Sequence, residues 1–233
     1  FRKKNSVKTF DQLQEGVYDP NIFKAFFLAG GPGSGKSFVV RKTTGGLGMK
    51  VVNSDTAFEK LLKDADFDFD FRDMSPEKTL ERDKIRKRAK EVTAKMQSNF
   101  VAGRLGLIID GTGAEYSKIE RQKRLLQQLG YDTYMVFVNT SLDVAIERNN
   151  ERRRKLPLDI VKTYWNNVQS NIGKFQRLFG MSNMIILDNN EKNDKIFNNV
   201  FKIISKLSNK NVKNYIAKQW IDNQLRLKKI MGS

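Results

Sequence analysis

Eight consecutive residues have the types and spacing to grip a phosphate. Gly30-Gly31-Pro32-Gly33-Ser34-Gly35-Lys36-Ser37 satisfies G-x-x-x-x-G-K-[ST]. Glycines let successive backbone N–H groups converge on one anion, where side chains would block the approach. The helix that follows turns its positive end toward the same anion. Lys36 is then placed to reach the β/γ-phosphates and the Ser37 hydroxyl to ligate Mg²⁺. Gly31, Pro32, Gly33, Ser34, Gly35, Lys36 and Ser37 are therefore the expected ATP-binding set. The context suits the motif, because Ile22–Leu28 is an apolar run of strand length and Phe38-Val39-Val40 leads into a helix.

Two carboxylates stand where such a loop needs them. Lys50–Asn53 and Leu105–Ile109 read as the second and third strands, ending in Ser54-Asp55 and in Asp110-Gly111-Thr112-Gly113. Ligands of open α/β sheets sit at the carboxyl ends of the strands. Asp110, ending the strand beside the loop, suits the Mg²⁺ side, and Asp55 suits a base that accepts the proton of an attacking hydroxyl. An Asp at such a position can also cap the next helix, and for Asp55, followed by TAFEKLL, that use is the alternative. The chain has no His and no Cys, so acid–base work falls to carboxylates, Lys, Tyr or water, and neither disulfides nor thiolate metal sites can form.

A third group is basic. In SLDVAIERNNERRRKLP, residues 141–157, Arg148 and Arg152 lie four apart on one helical face, with Arg153 and Arg154 adjoining. Phosphoryl transfer spreads charge over equatorial oxygens, and arginines that close over them stabilise it. Pairing with Glu147 and Glu151 on a solvated face is the alternative use of this run.

The elements that must position these groups alternate along the chain. Helices are expected at Lys36–Thr43, Glu77–Phe100, Tyr116–Leu129, Ser141–Arg154, Asp159–Phe179, Asp194–Ser208 and Val212–Lys229, with further strands at Thr133–Val138 and Met184–Leu187. In Glu77–Phe100 the residues Leu80, Ile85, Ala89, Val92 and Met96 fall near one face. Five short apolar strands separated by helices predict an α/β fold, a parallel sheet covered on both faces, with additional C-terminal helices.

The collinear order of P-loop, strand–Asp55, IIDGTG and RNNERRRKLPLDIVKTYW resembles the P-loop kinases that include phage 5′-polynucleotide kinase and the zeta toxins. The resemblance covers roughly residues 22–190. It implies an ATP- and Mg²⁺-dependent phosphotransferase with Asp55 as general base, Asp110 and Thr112 on the metal and substrate side, and Arg148 and Arg152 in the lid, with the adjoining Arg153 expected to bind ATP. These families often carry an arginine three residues after the base, holding acceptor phosphate. Phe58 occupies that position here, on the expected substrate side. The implied acceptor is a hydroxyl of a nucleic acid, a nucleotide or a nucleotide sugar, and the implied setting is cytoplasmic.

A motor-type ATPase would end its third strand in Asp-Glu to polarise water, whereas this strand ends Asp110-Gly111, so a kinase is the favoured reading. An ATP-hydrolysing nucleic-acid-binding or assembly factor is the alternative, because residues 161–233 carry 13 basic and 4 acidic side chains and supply more than half of the net charge of +17. There Tyr215, Ile216, Trp220, Ile221 and Leu225 suggest an apolar face, with Lys210, Lys213, Lys218, Arg226, Lys228 and Lys229 exposed. The expected division is an extension over 1–21, a kinase domain over 22–190 and a basic helical segment over 191–233 packed on it. In KDADFDFDFRD, residues 63–73, strict alternation would put Phe67, Phe69 and Phe71 on one side and Asp66, Asp68 and Asp70 on the other. An amphipathic hairpin or edge strand covering core is the plain reading, and an aromatic wall of an acceptor site the other. No apolar stretch is long enough to cross a bilayer.

Overall fold

The computed structural model describes residues 16–44, 47–71, 74–152, 155–191 and 194–231. Its strands are β1 (Lys24–Ala29), β2 (Lys50–Val52), β3 (Leu107–Asp110), β4 (Asp132–Asn139) and β5 (Met184–Asp188). Its helices are α1 (Lys36–Thr44), α2 (Ser54–Asp64), α3 (Pro76–Ala102), α4 (Tyr116–Gln128), α5 (Leu142–Glu151), α6 (Leu158–Phe179), α7 (Asp194–Ser208) and α8 (Tyr215–Met231). All strand pairs are parallel, in the order β2-β3-β1-β4-β5. The expected α/β P-loop fold with a five-stranded parallel sheet is the fold observed.

β1 shows why the sheet needs two covers. Its residues are all buried, and successive side chains leave opposite faces. Ala25, Phe27 and Ala29 join Val168, Phe175 and Phe179 of α6 with Ile119 and Leu126 of α4. Phe26 and Leu28 join Val39 and Val40 of α1 with Val200 and Ile204 of α7. A third, separate cluster lies between α2 and α3, where Phe58, Leu62, Phe71 and Ala89 are buried. The last helix also reaches the core: Ala217, Trp220 and Ile221 of α8 pack on the α4/α6 side.

Asp132, the first residue of β4, ties three parts together. It accepts from the wholly buried Lys24 Nζ at 2.8 Å, from Lys213 N at 2.9 Å and from Asn214 N at 3.1 Å. Truncating it would strand a buried ammonium, a loss of about 3–5 kcal/mol.

Four local expectations are corrected. Arg152 is not on a helical face with Arg148, because α5 stops at Glu151 and Arg152 is extended (φ −77°, ψ 149°). The cause is buried Asn149, whose side chain donates to Leu156 O at 2.9 Å and accepts from Leu156 N at 3.2 Å, turning the chain back. In α3, Leu80, Val92 and Met96 are 59%, 42% and 44% exposed, so no continuous apolar face is buried; the seam against α2 runs through Ile85, Ala89 and the α2 side chains Phe58 and Leu62. Residues 67–71 form no strand. Phe67 N bonds back to Leu62 O at 2.9 Å, Asp66 has φ +50°, and Asp68 Oδ1 accepts from Asp70 N at 3.0 Å, a turn that leaves one bridge, Asp70 to Lys155. The aromatic half of that expectation still holds, since Phe67, Phe69 and Phe71 all meet the α2/α3 cluster. In α8, Tyr215 and Ile216 are exposed and Ala217 takes the buried position expected of them.

Candidate active site

The carboxyl ends of β1, β2 and β3 converge on a cleft of about 620 Å³. The phosphate loop forms its floor. Gly33 and Gly35 hold φ +77° and +87°, where a side chain would be strained, and an added Cβ would run into the Ala145 backbone or the Asn189 side chain. Ser34 is buried, and Asn189, just past β5, donates from Nδ2 to Ser34 O at 2.7 Å. Lys36 Nζ donates to the carbonyls of Gly30 and Gly31. The loop thus presents backbone to a ligand and ends at the positive start of α1, which is what a polyphosphate requires.

Asp110 closes β3 beside the loop, level with Leu28 of β1. Burial pushes its carboxyl above the ordinary range, Lys36 pulls it back down, and the nearby charge of Asp55 pushes it up again. Asn53 joins the two aspartates. Its Nδ2 donates to Asp110 Oδ2 at 2.7 Å, and its Oδ1 accepts from Asp55 N at 2.7 Å as the N-cap of α2. Asn53 is therefore the side-chain cap of α2, and the carboxylate of Asp55 meets Arg86 instead. A half-desolvated carboxylate facing Lys36 and lining the same cleft as Ser37 is a donor pair of the kind a hard cation takes. Thr112 and Phe58 also line this cleft.

A family profile described as an AAA domain, AAA_33, matches residues 26–172. The chain belongs to the AAA_33 family. This is a P-loop kinase-like domain, and solved structures share its fold. One is a candidate kinase from Chloroflexus aurantiacus J-10-fl, at 11% identity and TM-score 0.52, with 80% of this chain and 96% of that one aligned. Another is from the PezAT chromosomal toxin–antitoxin system of Streptococcus pneumoniae, at 14% identity and TM-score 0.54, with 80% and 87% covered. A third is AvrRxo1-ORF1 in complex with ORF2 and ATP, at 14% identity and TM-score 0.54; the match takes in 71% of this chain and 54% of that one. At these identities the likeness is one of fold. No curated protein matches the chain.

In this AAA_33 chain the arginine group behaves differently from a free lid. Arg148 and Arg152 both line the cleft, but Arg148 donates from Nη1 to Asn189 O at 2.8 Å and from Nη2 to Asn190 O at 3.4 Å. It ties α5 to the loop after β5, whose Asn189 in turn holds the phosphate loop. Arg153 lies outside the described residues. α6 adds Ile160 and Tyr164 to the cleft, and its Trp165 fastens to Thr140 O at 2.8 Å.

Sequence reasoning missed the opposite wall. Arg82 and Arg86, one turn apart on α3, line the cleft, and Arg86 Nη1 meets Asp55 Oδ1 at 2.6 Å. Arg86 Cζ lies 4.9 Å from the Phe58 ring centroid and Arg82 Cζ 5.6 Å from that of Phe71. The only available sequence signal was an i, i+4 arginine pair inside a helix crowded with other charges. Asn53, Asn149 and Asn189 were missed as well, because each works through a partner distant in sequence or a backbone atom. Among the described residues, no helix is long and apolar enough to cross a membrane, and no cluster of three or more carboxylates could hold a metal unaided.

Proposed function

We propose that the protein is an ATP-dependent phosphotransferase that moves the γ-phosphate to a hydroxyl of a nucleotide-like acceptor. The observation that carries this reading is that Lys36, Asp110 and Asp55 line one cleft at three neighbouring strand ends. In the proposed step the acceptor oxygen forms a bond to the γ-phosphorus as the bond to the β,γ-bridging oxygen breaks. Asp55 takes the hydroxyl proton and ADP leaves. Lys36 and the loop amides hold the β- and γ-phosphates, and Ser37 and Asp110 are the residues that would hold Mg²⁺. When bound, the ion neutralises charge developing on the phosphate oxygens.

Arg152 is the lid group positioned to approach the transferring phosphate, while Arg148 keeps the lid base on the loop. Asp110-Gly111 supports transfer over hydrolysis, since no acidic residue adjoins Asp110 to align a water. The deciding experiment incubates the protein with γ-labelled ATP and a panel of hydroxyl acceptors: a polynucleotide 5′-end, a mononucleotide and a nucleotide sugar. Label on an acceptor supports the proposal. Label released only as inorganic phosphate, with every acceptor present, overturns it in favour of an ATP-hydrolysing factor.

A further inference from the structure

A second cavity, of about 260 Å³, lies at the opposite end of the sheet from the cleft. Lys123 of α4 and Thr133, the second residue of β4, both line it, whereas the cleft opens at the carboxyl ends of the strands. The rest of β4 separates the two, a span of roughly 20 Å.

Two polar side chains in this cavity are buried without the partners that burial demands. Lys123 is 7% exposed, and its ammonium carries three N–H donors. One donates to Gln127 Oε1 at 2.8 Å, and the centroid of the Phe179 ring lies 5.4 Å from Nζ. Among the described residues no carboxylate pairs with it. Burial lowers its pKa and the neighbouring charge of Arg124 lowers it further, so the fold opposes the cation it encloses. Thr133 is equally buried, and its hydroxyl has no hydrogen-bond partner among the described residues. Alternation along β4 puts Thr133 with Met135 and Phe137 on the side that α4 and α6 cover, the side of Lys123 and Phe179.

The carboxylate that lines this cavity is already committed. Asp132 Oδ2 accepts from Lys24 Nζ and Lys213 N, and Oδ1 accepts from Asn214 N. With Lys24 cancelling Asp132, the remaining balance is positive, from Lys123 within and the exposed Lys213 at the rim.

We propose that this cavity binds the oxyanion group of a small molecule, a phosphate or a carboxylate, held by Lys123 Nζ and Thr133 Oγ1. The two remaining ammonium N–H groups and the hydroxyl supply the donors. The anion supplies the opposite charge without which a buried ammonium is costly. Lys213 and Asn214 belong to the connection into α8, so an occupied cavity also fastens that connection to α4 and β4. The site is separate from the nucleotide cleft and does not depend on the phosphotransfer reading.

The test titrates inorganic phosphate, and in a parallel arm acetate, calorimetrically into the full chain saturated with Mg²⁺ and the non-hydrolysable ATP analogue AMP-PNP, which fills the phosphate loop. The expected result is one oxyanion bound per chain in at least one arm, and the tighter arm identifies the group as phosphate or carboxylate. K123M should bind it at least tenfold more weakly and T133V several-fold more weakly. AMP-PNP affinity should stay within about twofold of wild type in both, because the cavity lies across the sheet from the loop. If neither anion binds, or if K123M binds as tightly as wild type, the site is overturned. Should K123M fail to fold, T133V decides. It removes a hydroxyl with no protein partner, so it should melt no lower than the ligand-free wild type. Wild-type affinity in T133V would equally overturn the proposal.

Discussion

The two walls of the cleft are built by different means. The nucleotide wall is backbone: a loop of eight consecutive residues whose glycines hold conformations that side chains resist, braced from behind by Asn189. The facing wall, proposed above to meet the acceptor, is made of side chains from separate elements, with Asp55 and Phe58 on α2, Arg82 and Arg86 on α3, and Phe71 between them. A backbone grip recognises what every nucleoside triphosphate shares. A side-chain wall can be respecified by single substitutions without disturbing the sheet, so under the proposed phosphotransfer discrimination among acceptors would fall there.

Substitutions can break or sharpen that contrast. Lys36→Ala should have the largest effect, lowering ATP turnover by roughly a thousandfold or more with an unchanged circular dichroism spectrum, because it removes a charge aimed at the transferring phosphate. Asp55→Asn should lower transfer by about 10²–10⁴-fold, the usual worth of a general base, while nucleotide affinity stays at the wild-type value. A fall in nucleotide affinity as deep as that of Lys36→Ala, measured by titration, would mean that the two walls are not separable.

Asn189→Ala should weaken nucleotide binding by roughly tenfold. It strands the buried Ser34 carbonyl, a loss of about 1–3 kcal/mol that falls on the loop. Wild-type affinity in this variant would show that the loop holds its shape without the brace.

The smallest effect concerns stability. Burial raises the Asp110 carboxyl above its unfolded value, so between those values the folded state binds more protons than the unfolded one. Its contribution to stability is complete below the ordinary carboxylate range and is lost as pH rises through the raised value. Asp110→Asn should therefore melt higher than the metal-free wild type at neutral pH, by roughly 2–4 °C, the shift that accompanies 1 kcal/mol in a chain of this size. The difference should shrink in acid. Equal melting curves at pH 7 would place no cost on the buried charge.

What was legible in the sequence follows the same division. The phosphate loop is readable because its residues are contiguous and its glycines have a backbone reason. β1 and β4 are readable because strands buried on both faces are continuously apolar, and the edge strand β5 because its four residues Met184–Leu187 are apolar although only Leu187 is fully buried. Asp110 and Asp55 could be found because strand ends are where ligands sit. Arg86 could not, since it lies 31 positions from the carboxylate it meets and is one cation among many on α3. The end of α5 was misjudged because Asn149 reads as an ordinary helical residue until its side chain is seen to bind the backbone of Leu156. The FDFDF stretch alternates like a strand, but the Asp68 side chain takes the Asp70 amide instead of leaving it for a neighbouring strand.

The carboxylate of Asp132 has a consequence for timing. It holds the amides of Lys213 and Asn214, which belong to the connection into α8, and at the same moment the ammonium of Lys24 at the start of β1. Lys213 itself is exposed, and an amide in an exposed connection ordinarily trades its hydrogen for deuterium in the time that a loop takes to open. Here release of that amide requires a shared acceptor to let go at the amino end of the central strands. Its exchange clock is therefore set by the sheet, and the amides of Lys213 and Asn214 should remain dark to solvent deuterium for as long as Asp132 keeps its place at the start of β4.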